Sequence, residues 1–274
     1  MTTGLSKAAR LNSRVARDSS PAAHSFVHLM RMYRSEMRLF FRESQVVTFV
    51  VAFPVVTVLV LGGVFGTEID DDFEFLNPSH YYVAAYFGVV LSAIGLIMLP
   101  SHIASYRERG VLRRHDTAGF ARWVFPAAQF LCGVSFAVLG FGALLATAGL
   151  AYGIPSLDRP ALTIAAIVLA TMAFISIGVM LGTLMPSARA AQGLGLTVFF
   201  PMFLLAGGGP PPVALTSTMR AIADWLPLTH AIRSILEPWL GLGDGRSHLL
   251  VVATMLVLSG AIWMFRSSQV NRAA

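Results

Sequence analysis

Six stretches of the chain contain no Asp, Glu, Lys or Arg, and each is long enough to cross a bilayer. A membrane-spanning helix needs about 20 predominantly apolar residues. Only 12% of the 274 residues are charged, against about 25% in a soluble domain. A buried soluble core explains one such run but not six, so the pattern predicts an all-α integral membrane protein with six transmembrane helices. The charge-free runs are Gln45–Thr67, Asn77–Tyr106, Trp123–Leu157, Pro160–Ala188, Ala190–Met219 and Ser247–Phe265.

The predicted organisation is one transmembrane domain with short flanking segments. We expect a disordered cytosolic tail over residues 1–24, because this segment is rich in Ser, Ala, Thr and Arg. An amphipathic interfacial helix follows over 25–43, the transmembrane domain covers 44–266, and a second tail covers 267–274. The predicted spans are 46–66, 81–103, 124–150, 161–185, 191–209 and 248–265.

The basic residues are divided unequally between the two sides of the predicted membrane domain. Sixteen lie in the N-terminal segment, the loops after the second and fourth spans and the C-terminus, and four lie on the other side. An excess of positive charge marks the cytoplasmic side. Both termini are therefore predicted inside and the acidic loop Glu68–Phe75 outside. The long polar lead before the first span predicts a retained span and not a cleaved signal, and the preference for arginine over lysine suggests a bacterial plasma membrane.

The segment before the first span has helical periodicity. Its arginines, Arg31, Arg34, Arg38 and Arg42, fall mostly between the apolar positions. This pattern favours a helix on the membrane surface, with arginines facing lipid phosphates. The alternative is a solvated helix that packs on a neighbouring protein. The apolar positions are Phe26, Leu29, Met30, Tyr33, Met37, Phe40 and Phe41.

Several classes of function lack their sequence signatures. No span has an ionisable residue near its middle, where transporters driven by ion gradients usually keep one; His102 lies only at the edge of the second span. A phosphate-binding P-loop needs a lysine after a glycine-rich turn, and the one lysine, Lys7, is in "LSKAA". We therefore expect no catalytic, cofactor or metal site in this chain. Nucleic-acid binding is disfavoured because the chain is so apolar.

The loop after the second span holds the densest group of arginines, in the stretch "YRERGVLRRHDTAGFARW". Two interpretations compete. The arginines serve only to keep this loop on the cytosolic side, or they also form a surface that another protein grips. The mixing of arginines with Glu108, Gly110 and Leu112 favours the second interpretation.

The segment before the last span carries two short apolar stripes separated by Pro227. Opposite charges four residues apart, Arg220 with Asp224 and Arg233 with Glu237, favour helices here. Neither half is long enough to span, which predicts two short amphipathic helices in the outer leaflet or lying flat on the surface. The stripes are Leu215, Met219, Ile222, Ala223 and Leu226, and then Leu228, Ile232, Ile235, Leu236 and Trp239.

Prolines within two of the spans predict kinks. Pro54 lies in the first predicted span and Pro201 in the fifth, and each removes a helical hydrogen bond. A passive bend and a hinge for opening remain equal alternatives.

Two stretches resemble one family of membrane proteins. The stretch Leu181–Gly241 is similar to the signature region of type-2 ABC exporter permeases of the daunorubicin-resistance-like branch. It reads "LGTLMPSARAAQGLGLTVFFPMFLLAGGGPPPVALTSTMRAIADWLPLTHAIRSILEPWLG". "YRERGVLRR", at Tyr106–Arg114, resembles a loop of that family with the form E-R-x-x-G-x-L-x-R. Six spans after an N-terminal interfacial helix are also the family's plan.

The resemblance implies an exporter permease with no nucleotide site of its own, driven by a separate ATPase. That partner, expected in two copies, would bind ATP and Mg. The resemblance further implies a second permease copy or homologue, a cytosolic coupling helix and a re-entrant hairpin that closes the outer end of the pathway. The implied coupling residues are Arg107, Glu108, Arg109, Leu112, Arg113 and Arg114, and the implied gate residues are Gly207, Pro211, Trp225 and Pro227.

An uncharged, aromatic pathway between protomers would suit a hydrophobic or amphipathic substrate such as a drug, an antibiotic or a lipid-like molecule. Aromatic residues in spans also serve as ordinary packing or face lipid, so this assignment stays open. Two other functions also remain open: a non-transporting membrane anchor or sensor for an ATPase, and a lipid-modifying membrane enzyme. The candidate pathway residues are Tyr86, Phe87, Phe199, Phe200 and Phe203.

Overall fold

The protein is an α-helical membrane protein, and its described residues contain six helices long and apolar enough to cross a bilayer, as predicted. The computed structural model describes residues 21–44, 47–73, 76–111, 121 and 123–273. Within those ranges every regular element is helical, and one isolated bridge joins Asp70 to Leu76. The six candidate spans are Val47–Phe65, Pro78–Glu108, Val124–Ala151, Pro160–Leu184, Ala188–Leu205 and Arg246–Phe265.

Ten α-helices, α1 to α10, make up most of the described chain. A π-helical segment, Val47–Ala52, begins the first span before α2, and a second, Ile94–Met98, joins α3 to α4 within the second span. Short 3-10 helices lie at Asp71–Phe73 and Pro212–Ala214. The α-helices are α1 Pro21–Phe40, α2 Phe53–Phe65, α3 Pro78–Ala93, α4 Leu99–Glu108, α5 Val124–Ala151, α6 Pro160–Leu184, α7 Ala188–Leu205, α8 Ser217–Ala223, α9 Pro227–Leu240 and α10 Arg246–Ala273.

The second span is the central helix of the bundle. Its most apolar window is completely buried inside the protein, and α2, α5, α6, α7 and α9 pack around it. Glycines let the helix backbones approach closely: Gly178 of α6 lies against Gly95, and Gly195 of α7 lies against Leu96. Small residues at such crossings are typical of helix packing in membranes. The second span therefore contacts most of the other elements.

The bounds of two spans differ from the predicted ones. The fifth span ends at Leu205, not near residue 209, because Gly207 takes a left-handed conformation with φ of +94° and three prolines follow it. The second span extends to Glu108, beyond the predicted residue 103. Arg107 and Glu108 consequently lie in its last turn.

Pro54, Pro100 and Pro201 lie inside the spans, and the kinks expected at Pro54 and Pro201 stay a prediction. Pro54 and Pro100 each occupy the first turn of an α-helix that directly follows a π-helical segment. Pro201 lies inside α7. A π-helical turn shifts the backbone hydrogen bonding by one residue, which accommodates a missing N–H.

The bundle has two ends, which we name by their residues. The arginine end carries α1, Arg107 to Arg109 and the loop between α6 and α7. The hairpin end carries Tyr82, the glycine-rich loop at 207–211 and the α8–α9 hairpin. Helix α1 packs on α5 at the arginine end, with Leu29 buried against Val124 and Ala128.

Candidate coupling and gating sites

Arg107 binds the end of the fourth span. Its Nη1 donates hydrogen bonds to the carbonyl oxygens of Thr183 and Met185, and the Met185 contact measures 3.0 Å. These carbonyls lie at the C-terminus of α6, where backbone acceptors have no helical partner and the helix dipole favours a cation. Arg107 thus ties the end of the second span to the end of the fourth.

Glu108 binds the start of the fifth span. Its Oε2 accepts a hydrogen bond from the backbone N–H of Ala188, the first residue of α7, at 3.1 Å. A carboxylate at a helix N-terminus is favoured by the dipole and by the free N–H groups there. The same helix is capped by Ser187, whose Oγ accepts from Ala190 at 3.2 Å.

The predicted coupling residues are therefore only partly placed by the described structure. Arg107 and Glu108 lie in the last turn of α4 and hold the α6–α7 loop, and Arg109 is the residue that ends the helix; all three are exposed. Gly110 follows with φ of +67°, a conformation that glycine adopts without strain. Leu112, Arg113 and Arg114 lie outside the described residues, so the coupling helix stays a prediction.

A buried polar network lies one to two turns deeper at the arginine end. Glu36 of α1 is 1% exposed. Its Oε2 accepts from His102 Nε2 at 2.6 Å and from Gln129 Nε2 at 2.9 Å, and its Oε1 accepts from Tyr106 Oη at 2.6 Å. One carboxylate therefore joins α1 to the second and third spans.

His102 lies between two carboxylates. Its Nδ1 is 3.0 Å from Glu43 Oε1, opposite the nitrogen that meets Glu36. Since both ring nitrogens face acceptors, the arrangement uses two N–H donors and so the imidazolium form. The Phe40 ring lies against the imidazole, with centroids 4.0 Å apart.

The environment of Glu36 favours its ionised form. Burial by itself raises the pKa of a carboxyl group, but the hydrogen bonds from His102, Tyr106 and Gln129 and the charge of His102 outweigh it. The pKa of Glu36 consequently lies below its ordinary value. The carboxylate is a permanent acceptor at neutral pH.

Glu36 is not among the predicted site residues, although the sequence carries a signal for it. Glu36 falls on the same helical stripe as Leu29, Tyr33 and Phe40. A carboxylate on an apolar stripe needs buried donors. His102 and Gln129, in charge-free runs, are the side chains that supply them.

The predicted pathway residues form one cluster and one separate contact. Phe199 and Phe203 are buried against Phe53, which lies 5.1 Å from Phe203 between ring centroids, and buried Tyr86 contacts Phe203. Phe200 borders this cluster and is 42% exposed. Phe87 lies elsewhere and stacks on Phe141, with centroids 4.3 Å apart. Four of the five side chains therefore pack inside the protomer.

At the hairpin end, two tyrosines of the second span hold the glycine-rich loop. Tyr82 Oη donates to the carbonyl oxygen of Gly209, and Tyr86 Oη donates to that of Gly208, both at 2.8 Å. Both tyrosines are completely buried. The loop that contains Gly207 and Pro211 is thereby fixed to the central helix.

The hairpin after this loop is built as predicted from two helices. Helix α8 ends at Ala223, α9 begins at Pro227, and Thr229 Oγ1 donates to the carbonyl oxygen of Ala223 at 2.6 Å. Trp225, at the turn, is 87% exposed. The expected ion pair of Arg233 with Glu237 is present at 3.7 Å, whereas Arg220 Nε donates to the carbonyl oxygen of Leu215 at 3.1 Å.

Helix α9 is the buried half of the hairpin. Its apolar stripe, predicted in full, is buried against α3, α6 and α10. Its C-terminal carbonyls, on Pro238 and Trp239, accept hydrogen bonds from the backbone N–H groups of Arg159 and Asp158. Of the first predicted stripe, Leu215 and Ala223 are buried, but Met219 and Ile222 are exposed.

The comparisons with known proteins agree with this architecture. A model of the family described as ABC-2 type transporter matches residues 28–238, which is more than half of the chain. A search of curated proteins finds no match. The matched region runs from α1 through five spans to the end of α9, and so includes both ends of the bundle described above. The chain belongs to the ABC-2 type transporter family, whose members are membrane permeases of ABC transporters.

Proposed function

We propose that this chain is the permease subunit of an ATP-driven exporter of the daunorubicin-resistance-like branch, energised by a separate ATPase. The proposed substrate is a hydrophobic or amphipathic molecule. The observation that carries the proposal is the continuity of the second span. It runs for 31 residues, from Pro78 to Glu108, and contacts the α6–α7 loop at one end and the glycine-rich loop at the other.

This continuity supplies a mechanical route between the two ends. An ATPase that grips the segment from Arg107 to Arg114 would displace the last turn of the second span. Arg107 and Glu108 would carry the α6–α7 loop with it, because they bind its flanking helix ends. At the opposite end, the same helix holds Gly208 and Gly209 through Tyr86 and Tyr82, so its displacement reaches the proposed gate.

The proposed complex has two permeases and two ATPases, and the ATPases bind ATP and Mg. The pathway would run between protomers, where exposed apolar side chains of the spans meet. Phe200 is the one candidate pathway residue with a large exposed fraction, so it would meet the substrate first. Phe199, Phe203 and Tyr86 would line the pathway only when this buried cluster opens.

Reversal of two charges tests the coupling surface. In the variant Glu108→Arg with Arg113→Glu, the net charge of the loop is unchanged, so insertion should be retained. We expect the ATPase to be lost on pull-down and export to be abolished, since disrupting a desolvated charge pair at an interface costs about 2–5 kcal/mol. Membrane level, ATPase capture and substrate export are measured on the same samples.

Two controls separate coupling from folding in this experiment. Glu108→Gln keeps an acceptor for the Ala188 N–H but removes the charge, so the α6–α7 loop contact survives. Arg10→Glu, in the N-terminal segment, should change neither capture nor export. Full ATPase capture and full export by the double-reversal variant would contradict the coupling role. If the parent protein captures the ATPase but exports no substrate, that result would favour a membrane anchor or sensor.

Cysteine labelling tests the proposed orientation, with the arginine end in the cytosol. Cys132 is buried, and a Cys132→Ser background removes it. In that background Asp71→Cys is expected to react with an impermeant maleimide in intact cells, because the loop before the second span lies outside. Ser187→Cys should react only after permeabilisation. The opposite pattern, or labelling of both positions from outside, would exclude internal termini.

A further inference from the structure

A cavity of about 90 Å³ lies at the hairpin end, where α8, α9 and the ends of two spans meet. Leu205, the last residue of α7, and Tyr81, in the first turn of the second span, both line it. Because two spans end here, the cavity lies at the boundary of the hydrocarbon layer of the membrane. The phosphate groups of lipids lie immediately outside that layer, so their depth matches the depth of the cavity.

The cavity lining includes two arginines from different helices. Arg220 comes from α8 and Arg233 from α9. Arg220 Nε donates a hydrogen bond to the carbonyl oxygen of Leu215 at 3.1 Å. A guanidinium carries five N–H donors, so this contact fixes the side chain with one of them, and the other four belong to its two Nη groups. Paired N–H donors of this geometry match the oxygens of a phosphate group.

The charges of the lining favour a ligand with one negative charge. Asp224, the residue that ends α8, adds one carboxylate to the two guanidinium groups. Glu237 is not among the lining residues; it lies 3.7 Å from Arg233 Nη1 and 3.3 Å from His248 Nε2. The lining by itself therefore carries an excess of one positive charge, which a monoanion balances. Basic pockets between membrane helices are suited to lipid headgroups.

The size of the cavity limits what it can enclose. A site that encloses a drug-sized molecule measures about 300–1,000 Å³, so a cavity of about 90 Å³ admits a headgroup but not a whole amphipathic molecule. An apolar tail must lie outside it. Phe200 and Leu204, one turn apart on α7 and directly before Leu205, are 42% and 50% exposed. This strip offers an apolar surface for the tail.

We propose that this cavity binds the phosphodiester group of an anionic phospholipid from the leaflet at the hairpin end. Arg220 and Arg233 hold the phosphate oxygens, and the acyl chains lie along the exposed face of α7. The bound lipid contacts the end of the fifth span and both helices of the hairpin, so it joins parts of the proposed gate. Binding requires this chain alone. Only a role of the lipid in transport rests on the proposed function.

Titration of the purified full-length chain in an uncharged maltoside detergent tests the site without any ATPase. The first probe is dihexanoyl phosphatidylglycerol, a phosphodiester monoanion. Dihexanoyl phosphatidylcholine has the same tails but no net charge, and dimethyl phosphate is the charged group without tails. We expect saturable binding of phosphatidylglycerol. Phosphatidylcholine should bind about tenfold more weakly, the factor lost with one charge-assisted contact, and dimethyl phosphate should also bind more weakly because it has no tail to bury.

Two variants of the lining should change the affinity for phosphatidylglycerol in opposite directions. Arg220→Gln should weaken binding by about tenfold, because it removes charge-assisted hydrogen bonds. Asp224→Asn should strengthen binding, because it removes the one opposing charge of the lining. Arg246→Gln is the matched control. Arg246 is also exposed and close to the hairpin, but it is paired with Asp244 at 3.2 Å and does not line the cavity, so its loss should leave the affinity unchanged.

Three results would overturn the proposal. They are equal affinity for the two lipids, an Arg220→Gln variant that binds like the parent, and binding of dimethyl phosphate as tight as that of phosphatidylglycerol, which would assign the cavity to free anions. A gain of affinity in Asp224→Asn excludes the explanation that the variants merely fail to fold. Normal lipid binding by a chain that captures no ATPase would instead contradict the proposed function alone.

Discussion

One methyl group at Gly195 is expected to separate the fifth span from the central helix, whereas the same methyl group at Gly193 is expected to be tolerated. A Cβ on Gly195 would collide with the backbone carbonyl oxygen of Leu96, in the π-helical part of the second span. Neither backbone can move without disturbing the packing around it. Overpacking of this kind costs about 1–3 kcal/mol or more, and collision with backbone places Gly195→Ala at or above the upper value.

Gly193 supplies a matched control within the same helix. It is exposed, and a Cβ there has no atom within 4 Å. Alanine is also the better helix former by up to about 1 kcal/mol, so Gly193→Ala should be neutral or slightly stabilising. Thermal unfolding of the purified variants and the yield of monodisperse protein measure both effects. Equal stability of the two variants would exclude close approach of α7 to the second span.

Removal of the Glu36 carboxylate is expected to destabilise the protein nearly as much as Gly195→Ala. Glu36→Ala leaves His102 charged and buried without its main partner, and leaves Tyr106 and Gln129 with unsatisfied donors. Breaking a buried ion pair from one side typically costs about 3–5 kcal/mol. We therefore expect a large loss of thermal stability and detachment of α1, which can be followed by protease access to the α1 segment.

Glu43→Ala is the control for Glu36. Glu43 meets the same histidine, but its side chain is 42% exposed and water can replace it, so the loss should be small. The pH dependence supplies a second check. Because the pKa of Glu36 is lowered on folding, its contribution to stability is present above the ordinary carboxyl pKa and is lost as the pH falls through the lowered value. If Glu36→Ala and Glu43→Ala unfold alike, the buried network does not hold α1.

The two ends of the second span have different consequences for function. At the arginine end its side chains bind backbone groups at the ends of α6 and α7. At the hairpin end its tyrosines bind carbonyls of a loop whose glycines permit large changes of backbone angle. The same helix thus contacts backbone groups of other elements at both of its ends.

Local composition determined the class of this protein. Six charge-free runs are sufficient for six spans, because the transfer of a helix into lipid depends on its own side chains and not on its neighbours. The same holds for the break between α8 and α9, which Pro227 dictates through its missing N–H, and for the buried stripe of α9, which appears as a helical period.

Only the tertiary structure decided which helix is central and which polar groups meet. The second span is no more apolar than the first or the fourth, so hydropathy cannot identify it as the buried one. What identifies it is the close approach of neighbouring helices at Gly95, Gly178 and Gly195. Likewise, His102 and Gln129 lie 66 and 93 positions from Glu36 along the chain. In the sequence each of the three looks like an isolated polar residue. Their pairing is a property of how α1 lies across two spans, because a buried carboxylate is stable only where the fold brings its donors to it.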